Sequence, residues 1–273
     1  MESGSAWIEV DGAVLAVEFS GRADGLPLVF LHAGVADGRM WQPQWGAFAA
    51  AHPLLRYDRR GFGRSRTVLA TTHSRVADLW AVMDAAGLQR AVLVGCSQGG
   101  RLAIDAALAR PQRVQALALV APAVNGAPQP ELSGQVQALS DAIAAAAEAR
   151  DVDTVNEFEA HLWLDGPGAA PGRVGAAERQ LFLDMNGIAL RADDPGTVLA
   201  EPSAWELLEH LRPPALVLWG DLDLPTLQIR CEELVRRIPG AQRVLLSGTA
   251  HLPGLEAPQR FNAALAKFLA GVV

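Results

Sequence analysis

Apolar and polar residues alternate from residue 7 to residue 20 on either side of Asp11-Gly12. Alternation around an Asp-Gly pair predicts two antiparallel strands joined by a tight turn. Four short apolar runs follow, at Pro27 to His32, Pro53 to Tyr57, Ala91 to Gly95 and Val114 to Ala121. Runs of that length without a polar face suit strands buried on both sides, and so predict a parallel sheet. Between them, Ser74 to Ala86 and Gly99 to Arg110 carry apolar residues three and four apart, which places the apolar positions on one helical face.

The pattern changes from about Pro122 to Pro213, where helical segments succeed one another without a strand signal, among them the alanine-rich stretch Leu139 to Arg150. Alternation then resumes: a strand at Ala215 to Trp219, a helix around Gln228 to Ile238, a strand at Arg243 to Leu246 and a last helix from Pro258 to Ala270. The expected architecture is α/β, a mostly parallel eight-stranded sheet with helices on both faces. Residues 1–121 and 214–273 form the core in this reading, and residues 122–213 an inserted helical cap.

Composition narrows the function. The 273 residues are 50% hydrophobic, enough for a sizeable core, and carry a formal net charge of -7. An acidic chain without a Lys/Arg excess is not built to bind nucleic acid. Cys96 and Cys231 are the only cysteines, too few for a disulfide framework and without zinc-site spacing, so a cytoplasmic, reducing setting is expected. The start, Met1-Glu2-Ser3-Gly4-Ser5, lacks the basic and apolar regions of a signal peptide, and no apolar run approaches a membrane span.

The chemistry centres on Gly95-Cys96-Ser97-Gln98-Gly99, a G-x-S-x-G pattern falling where a buried strand ends and a helix begins. A sharp turn there forces Ser97 into a strained conformation and leaves no room for side chains two residues away, which is why glycines flank it. Ser97, as nucleophile, needs a base. Of six histidines, His251 in Gly248-Thr249-Ala250-His251 follows the last strand and reaches the carboxyl edge of the sheet. An acid must orient the base, and chain order places it between Ser97 and His251, at Asp221 or Asp223; spacing by itself leaves both. The oxyanion formed on attack calls for two backbone donors: Gln98 N–H at the helix start and, from the loop His32-Ala33-Gly34-Val35, Gly34 N–H. His32 is read as a brace of that loop, and Cys96 as a small packing residue.

These residues resemble the α/β-hydrolase fold family, in the group with a helical cap inserted after the sixth strand. The resemblance runs nearly end to end, through His32-Ala33-Gly34, Asp58-Arg59-Arg60-Gly61-Phe62-Gly63-Arg64-Ser65, Gly95 to Gly100, Gly220 to Asp223 and Gly248 to His251. It implies that the acid is Asp223, three residues after the glycine ending its strand; no carboxylate stands at the alternative position, Ala121 to Gly126. His32-Ala33 replaces the family's usual His-Gly, and Cys96 precedes the nucleophile. A serine at the apex implies acyl transfer on a small-molecule substrate, foremost ester or lactone hydrolysis, then carbon–carbon bond hydrolysis, with a receptor-like binding role as the alternative. No metal or organic cofactor is implied, and oligomeric state stays open. Met40, Trp41, Trp163 and Phe182 are candidate pocket residues, offering large apolar area. Arg59 and Arg60 are expected to brace loops through backbone carbonyls.

Overall fold

The N-terminal alternation folds as expected: β1 (Gly4–Val10) pairs antiparallel with β2 (Ala13–Ser20), Val10 opposite Ala13. The apolar runs become β3 (Leu28–Leu31), β4 (Leu54–Tyr57), β5 (Ala91–Cys96) and β6 (Val114–Val120), and β7 (Ala215–Gly220) and β8 (Gln242–Leu246) complete the sheet. The spatial order is β1-β2-β4-β3-β5-β6-β7-β8, parallel from β4 onward. This computed structural model describes residues 3–20, 24–129, 131–132 and 134–272; Met1 and Glu2 of the N-terminal reading lie outside them.

Successive residues of a strand point to opposite faces, and here each face meets a helical layer. Leu93, Leu117 and Val217 pack with Leu79 and Met83 of α2 (Arg75–Ala85), Ile104 of α3 (Gln98–Ala109) and Leu234 of α7 (Pro225–Arg237). Val92, Val94, Ala118 and Leu218 pack on the other face with Phe48 of α1 (Gln42–Phe48) and Phe261 and Phe268 of α9 (Pro258–Leu269). Two apolar layers on one strand explain why the runs read as continuous rather than alternating.

Between β6 and β7 the chain leaves the sheet. It forms α4 (Gly134–Glu148), α5 (Val152–Glu159, capped by Asp151), one π-helical turn (Ala160–Asp165) and α6 (Ala176–Leu190). A strand is present here after all: Gly196–Val198 pairs parallel with Thr71–His73, three residues long and too short to show a period. A two-residue strand, Arg66–Thr67, also joins β2, and α1 was not anticipated. α8 (Pro253–Glu256) is a single turn before α9. Among the described residues no helix is long and apolar enough to cross a membrane.

Arg60 in the turn after β4 makes a bidentate, buried pair with Asp78 of α2, at 2.7 and 3.0 Å. Removing one partner of such a pair strands the other charge. Asp78→Ala is therefore expected to cost about 3–5 kcal/mol in urea unfolding, whereas a loss under 1 kcal/mol would mean that Arg60 finds water instead.

Candidate active site

β5 ends in the turn that carries Ser97, whose backbone has φ 53° and ψ -115°. That region is costly for a residue with a Cβ, by roughly 1–3 kcal/mol. Ser97 N–H donates to Val120 O at 2.9 Å, and Ser97 O accepts from Arg101 and Ala123 N–H, each at 3.0 Å, so both sides of the turn are held. The flanking glycines answer a steric demand. A Cβ on Gly95 would stand 2.3 Å from Gly99 O, and one on Gly99 only 2.1 Å from Leu31 O. Helix α3 thus starts in direct backbone contact with the end of β3, which brings the loop after β3 beside Ser97.

The candidate acid and base converge from β7 and β8. A Cβ on Gly220 would lie 2.0 Å from Thr249 O, so glycine there lets the loop after β8 cross the end of β7, and Leu222 N–H donates to Thr249 O at 2.9 Å. His251 Nδ1 lies 2.8 Å from Asp223 Oδ2, both residues 2% exposed. A carboxylate only accepts, so Nδ1 carries a proton, and in the neutral ring this tautomer leaves the lone pair on Nε2. Asp223 Oδ1 accepts Leu224 N–H at 2.7 Å. Asp221, which spacing left as an equal, turns away: it accepts from Ser247 Oγ and Gly248 N–H, each at 2.6 Å. The Ser247 hydroxyl bond chiefly holds its carboxyl below the usual range. Asp221 fastens the base loop and does not touch the base.

Two residues that sequence reasoning missed secure the same loop. Glu256 accepts Ala250 N–H at 2.8 Å and Leu252 N–H at 3.0 Å, one on each side of His251. Burial pushes its carboxyl up, against the Ala250 N–H and the cation of Arg173. Arg173, from the inserted segment, pairs with Glu256 and donates to Gly248 O, Leu164 O and Asp165 O at 3.0, 2.9 and 2.7 Å. The π-helical turn also reaches the base: Trp163 O accepts His251 N–H at 3.2 Å, and the two rings lie 4.7 Å apart. Nothing local marks Arg173, which stands in a loop 83 residues before its partner.

The loop after β3 is fixed around His32. Arg59 N–H donates to His32 Nε2 at 3.0 Å, so the ring proton sits on Nδ1 and is donated to Ala33 O at 2.8 Å. Burial, and next the Arg59 cation, hold the His32 pKa well below its ordinary value, leaving it neutral. Arg59 Nη2 donates to His32 O and Ala33 O, each at 3.1 Å, and Nη1 to Gln98 Oε1 at 3.1 Å. Gly34 lies so close that a Cβ would stand 2.5 Å from Gln98 Nε2. Gly34 and Gln98 are therefore adjacent, and neither backbone N–H has an acceptor among the described residues. Arg59 braces carbonyls as anticipated; Arg60 binds the Asp78 carboxylate instead.

The pocket expectations divide. Trp163 stands beside His251. Trp41 is fully buried with its ring 5.3 Å from Phe30 and 5.9 Å from Phe261, and Phe182 is fully buried in the same apolar layer. Both rings are closed off from solvent within that layer and pack as core there. Met40 is also buried, its sulfur accepting Ala33 N–H at 3.3 Å. Cys96 is fully buried, and burial pushes its thiol well above the ordinary range. A cavity of about 270 Å³ opens beside Gln98, walled by Arg59, Phe62, His73 and residues of the 189–195 segment. Among the described residues no three His, Cys, Asp or Glu side chains cluster to hold a metal ion.

This geometry separates the two aspartates experimentally. Asp223→Asn is expected to lower kcat for ester hydrolysis about 10⁴-fold by presenting the wrong tautomer of His251. Asp221→Asn should stay within about tenfold, since it loosens only the loop's anchor. Equal losses would reverse the assignment.

The sequence profile of the α/β hydrolase fold matches residues 27–258. RutD of Caulobacter sp. (strain K31), a protein named for carbamate hydrolysis, is 32% identical over 99% of both chains. Carboxylesterase YbfK of Bacillus subtilis (strain 168) is 24% identical over 92% of this chain and 83% of its own. The crystal structure of esterase RhEst1 from Rhodococcus sp. ECU1013 superposes with a TM-score of 0.79 at 25% identity, covering 100% of each chain. The profile match and the sheet order together show that the chain belongs to the α/β-hydrolase fold family, and its hydrolase relatives support an α/β-hydrolase enzyme.

Proposed function

We propose that the protein is a serine hydrolase that cleaves a small carboxylic ester or lactone through an acyl-enzyme on Ser97. The observation that carries this reading is the buried His251–Asp223 pair, 2.8 Å apart, at the same sheet edge as the strained Ser97 turn. Cys96 Sγ, one residue from Ser97, donates to His251 O at 3.5 Å, so the two loops abut.

In this mechanism His251 Nε2 takes the Ser97 hydroxyl proton as Oγ attacks the substrate carbonyl carbon. The carbonyl π pair moves onto oxygen, and Gln98 N–H and Gly34 N–H receive the oxyanion; each donor is worth about 2.7–4 kcal/mol in the transition state. As the intermediate collapses, the bond to the leaving oxygen breaks, and His251 returns its proton to the alkoxide. A water then attacks the acyl-enzyme with His251 as base, releasing the acid and free Ser97. Asp223 stays ionised throughout and stabilises the imidazolium. In a lactone the alkoxide remains tethered to the acyl group, and the same steps apply.

The helical segment of residues 122–213 is assigned as the cap that selects the substrate, because Trp163 and Arg173 belong to it and reach the base loop. The names of the relatives favour acyl compounds with an oxygen or nitrogen leaving group: carbamates for RutD, esters for YbfK and RhEst1. Both cysteines are buried and unpaired, which suits a reducing, cytoplasmic compartment.

A fluorophosphonate tests the reading without knowledge of the substrate. Intact-mass analysis is expected to show one adduct, mapped to the Ser97 peptide and absent in Ser97→Ala. Folded protein that forms no adduct would remove the nucleophile and leave a binding role in its place.

A further inference from the structure

Arg59 is buried, 5% exposed, yet no carboxylate of the described residues lies within salt-bridge distance of it. Every other buried arginine near this edge has such a partner: Arg56 has Glu18 and Arg60 has Asp78. A buried cation without a counter-charge is costly and needs a compensating role. The Arg59 guanidinium donates from Nη1 and Nη2 to His32 O, Ala33 O and Gln98 Oε1 and packs over the Phe62 ring at 4.7 Å, while its Nε–H has no partner among the described residues.

Those acceptors are not scattered. Ala33 O and Gly34 N–H belong to one planar peptide unit, so fixing the carbonyl fixes the direction of the N–H. The same carbonyl also accepts His32 Nδ1–H, while Met40 Sδ holds Ala33 N–H on the preceding peptide. The third acceptor sits on the side chain of Gln98, whose backbone N–H is the second donor of the reading above.

We propose that Arg59 is the positioning residue of the oxyanion hole, aiming the Gly34 N–H through the Ala33 carbonyl and tying that peptide to Gln98. Donation from a cation to the carbonyl also polarises the peptide and strengthens its N–H as a donor. The missing counter-charge then has a meaning: negative charge develops nearby only in the transition state, which is where a preorganised cation contributes most. A planar fork reaching three oxygens does what a lysine's single ammonium does less well. This inference rests on the assignment of Gly34 and Gln98 as oxyanion donors.

The test uses p-nitrophenyl acetate as substrate and a phenyl trifluoromethyl ketone as a tetrahedral-adduct inhibitor, with wild type, Arg59→Met and Arg59→Lys. Arg59→Met is expected to lower kcat about 10- to 100-fold, less than outright deletion of a donor, with KM within about twofold. The inhibition constant of the ketone should rise by a similar factor, and Arg59→Lys should recover part of both. If Arg59→Met fails to fold, Arg59→Lys, which keeps the charge, is read by the same split. Unchanged kcat and ketone affinity, with or without a lower melting temperature, would overturn the proposal, as would a rise in KM alone, which marks a substrate contact. A wild type that forms no Ser97 adduct overturns the hydrolase reading and this inference together; an active wild type with unaffected variants overturns this inference alone.

Discussion

Backbone meets backbone at the carboxyl edge of this sheet closer than side chains would permit. The end of β5 touches the start of α3, α3 touches the end of β3, and the loop after β8 crosses the end of β7, at gaps where a Cβ would stand 2.0 to 2.3 Å from a carbonyl oxygen. Each contact is possible only at glycine. Everything chemical hangs from them: the first holds Ser97 in its strained turn, the second sets the Gly34 loop against Gln98, and the third lays His251 beside Asp223. The parallel sheet supplies the rigid edge, and its two apolar layers stabilise the fold enough to hold the strain of the turn.

The inserted helices are joined to this edge by polar bonds rather than laid over it. Trp163 O accepts the His251 N–H, and Arg173 links Glu256 to three carbonyls on both sides of the junction. Glu256 in turn holds the amides flanking His251. Moving this part of the insertion away would strand a buried carboxylate and a backbone N–H at once. The His251 loop and the π-helical turn are therefore bonded as one unit, whereas α4 buries only Ala146 among its described residues. Charge is compensated in two ways at this edge: the half-buried Arg173 pairs with Glu256, whereas the buried Arg59 donates to carbonyl oxygens and packs over the Phe62 ring.

Strands buried on both faces, the Asp11-Gly12 turn and the strand-to-helix position of Gly95 to Gly99 were legible in the sequence, because each is a local pattern with a local cause. The candidate nucleophile, base and oxyanion residues followed from those placements. Sequence also limited the acid to Asp221 or Asp223, since both follow the end of one strand, but period alone did not distinguish them. The family resemblance singled out Asp223, and the geometry supports it: the loop after β8 bonds Gly248 N–H to Asp221 and His251 Nδ1 to Asp223. Trp41 and Phe182 looked like pocket residues because a large ring suits a pocket and a core equally; only packing against Phe30 and Phe261, or within the apolar layer, told them apart. The Gly196–Val198 strand, the Arg173–Glu256 pair and the unpaired Arg59 left no trace in the sequence pattern. Their meaning lies in partners 26 to 125 residues away, brought together by the fold, and periodicity along a chain carries information only about neighbours within a few turns.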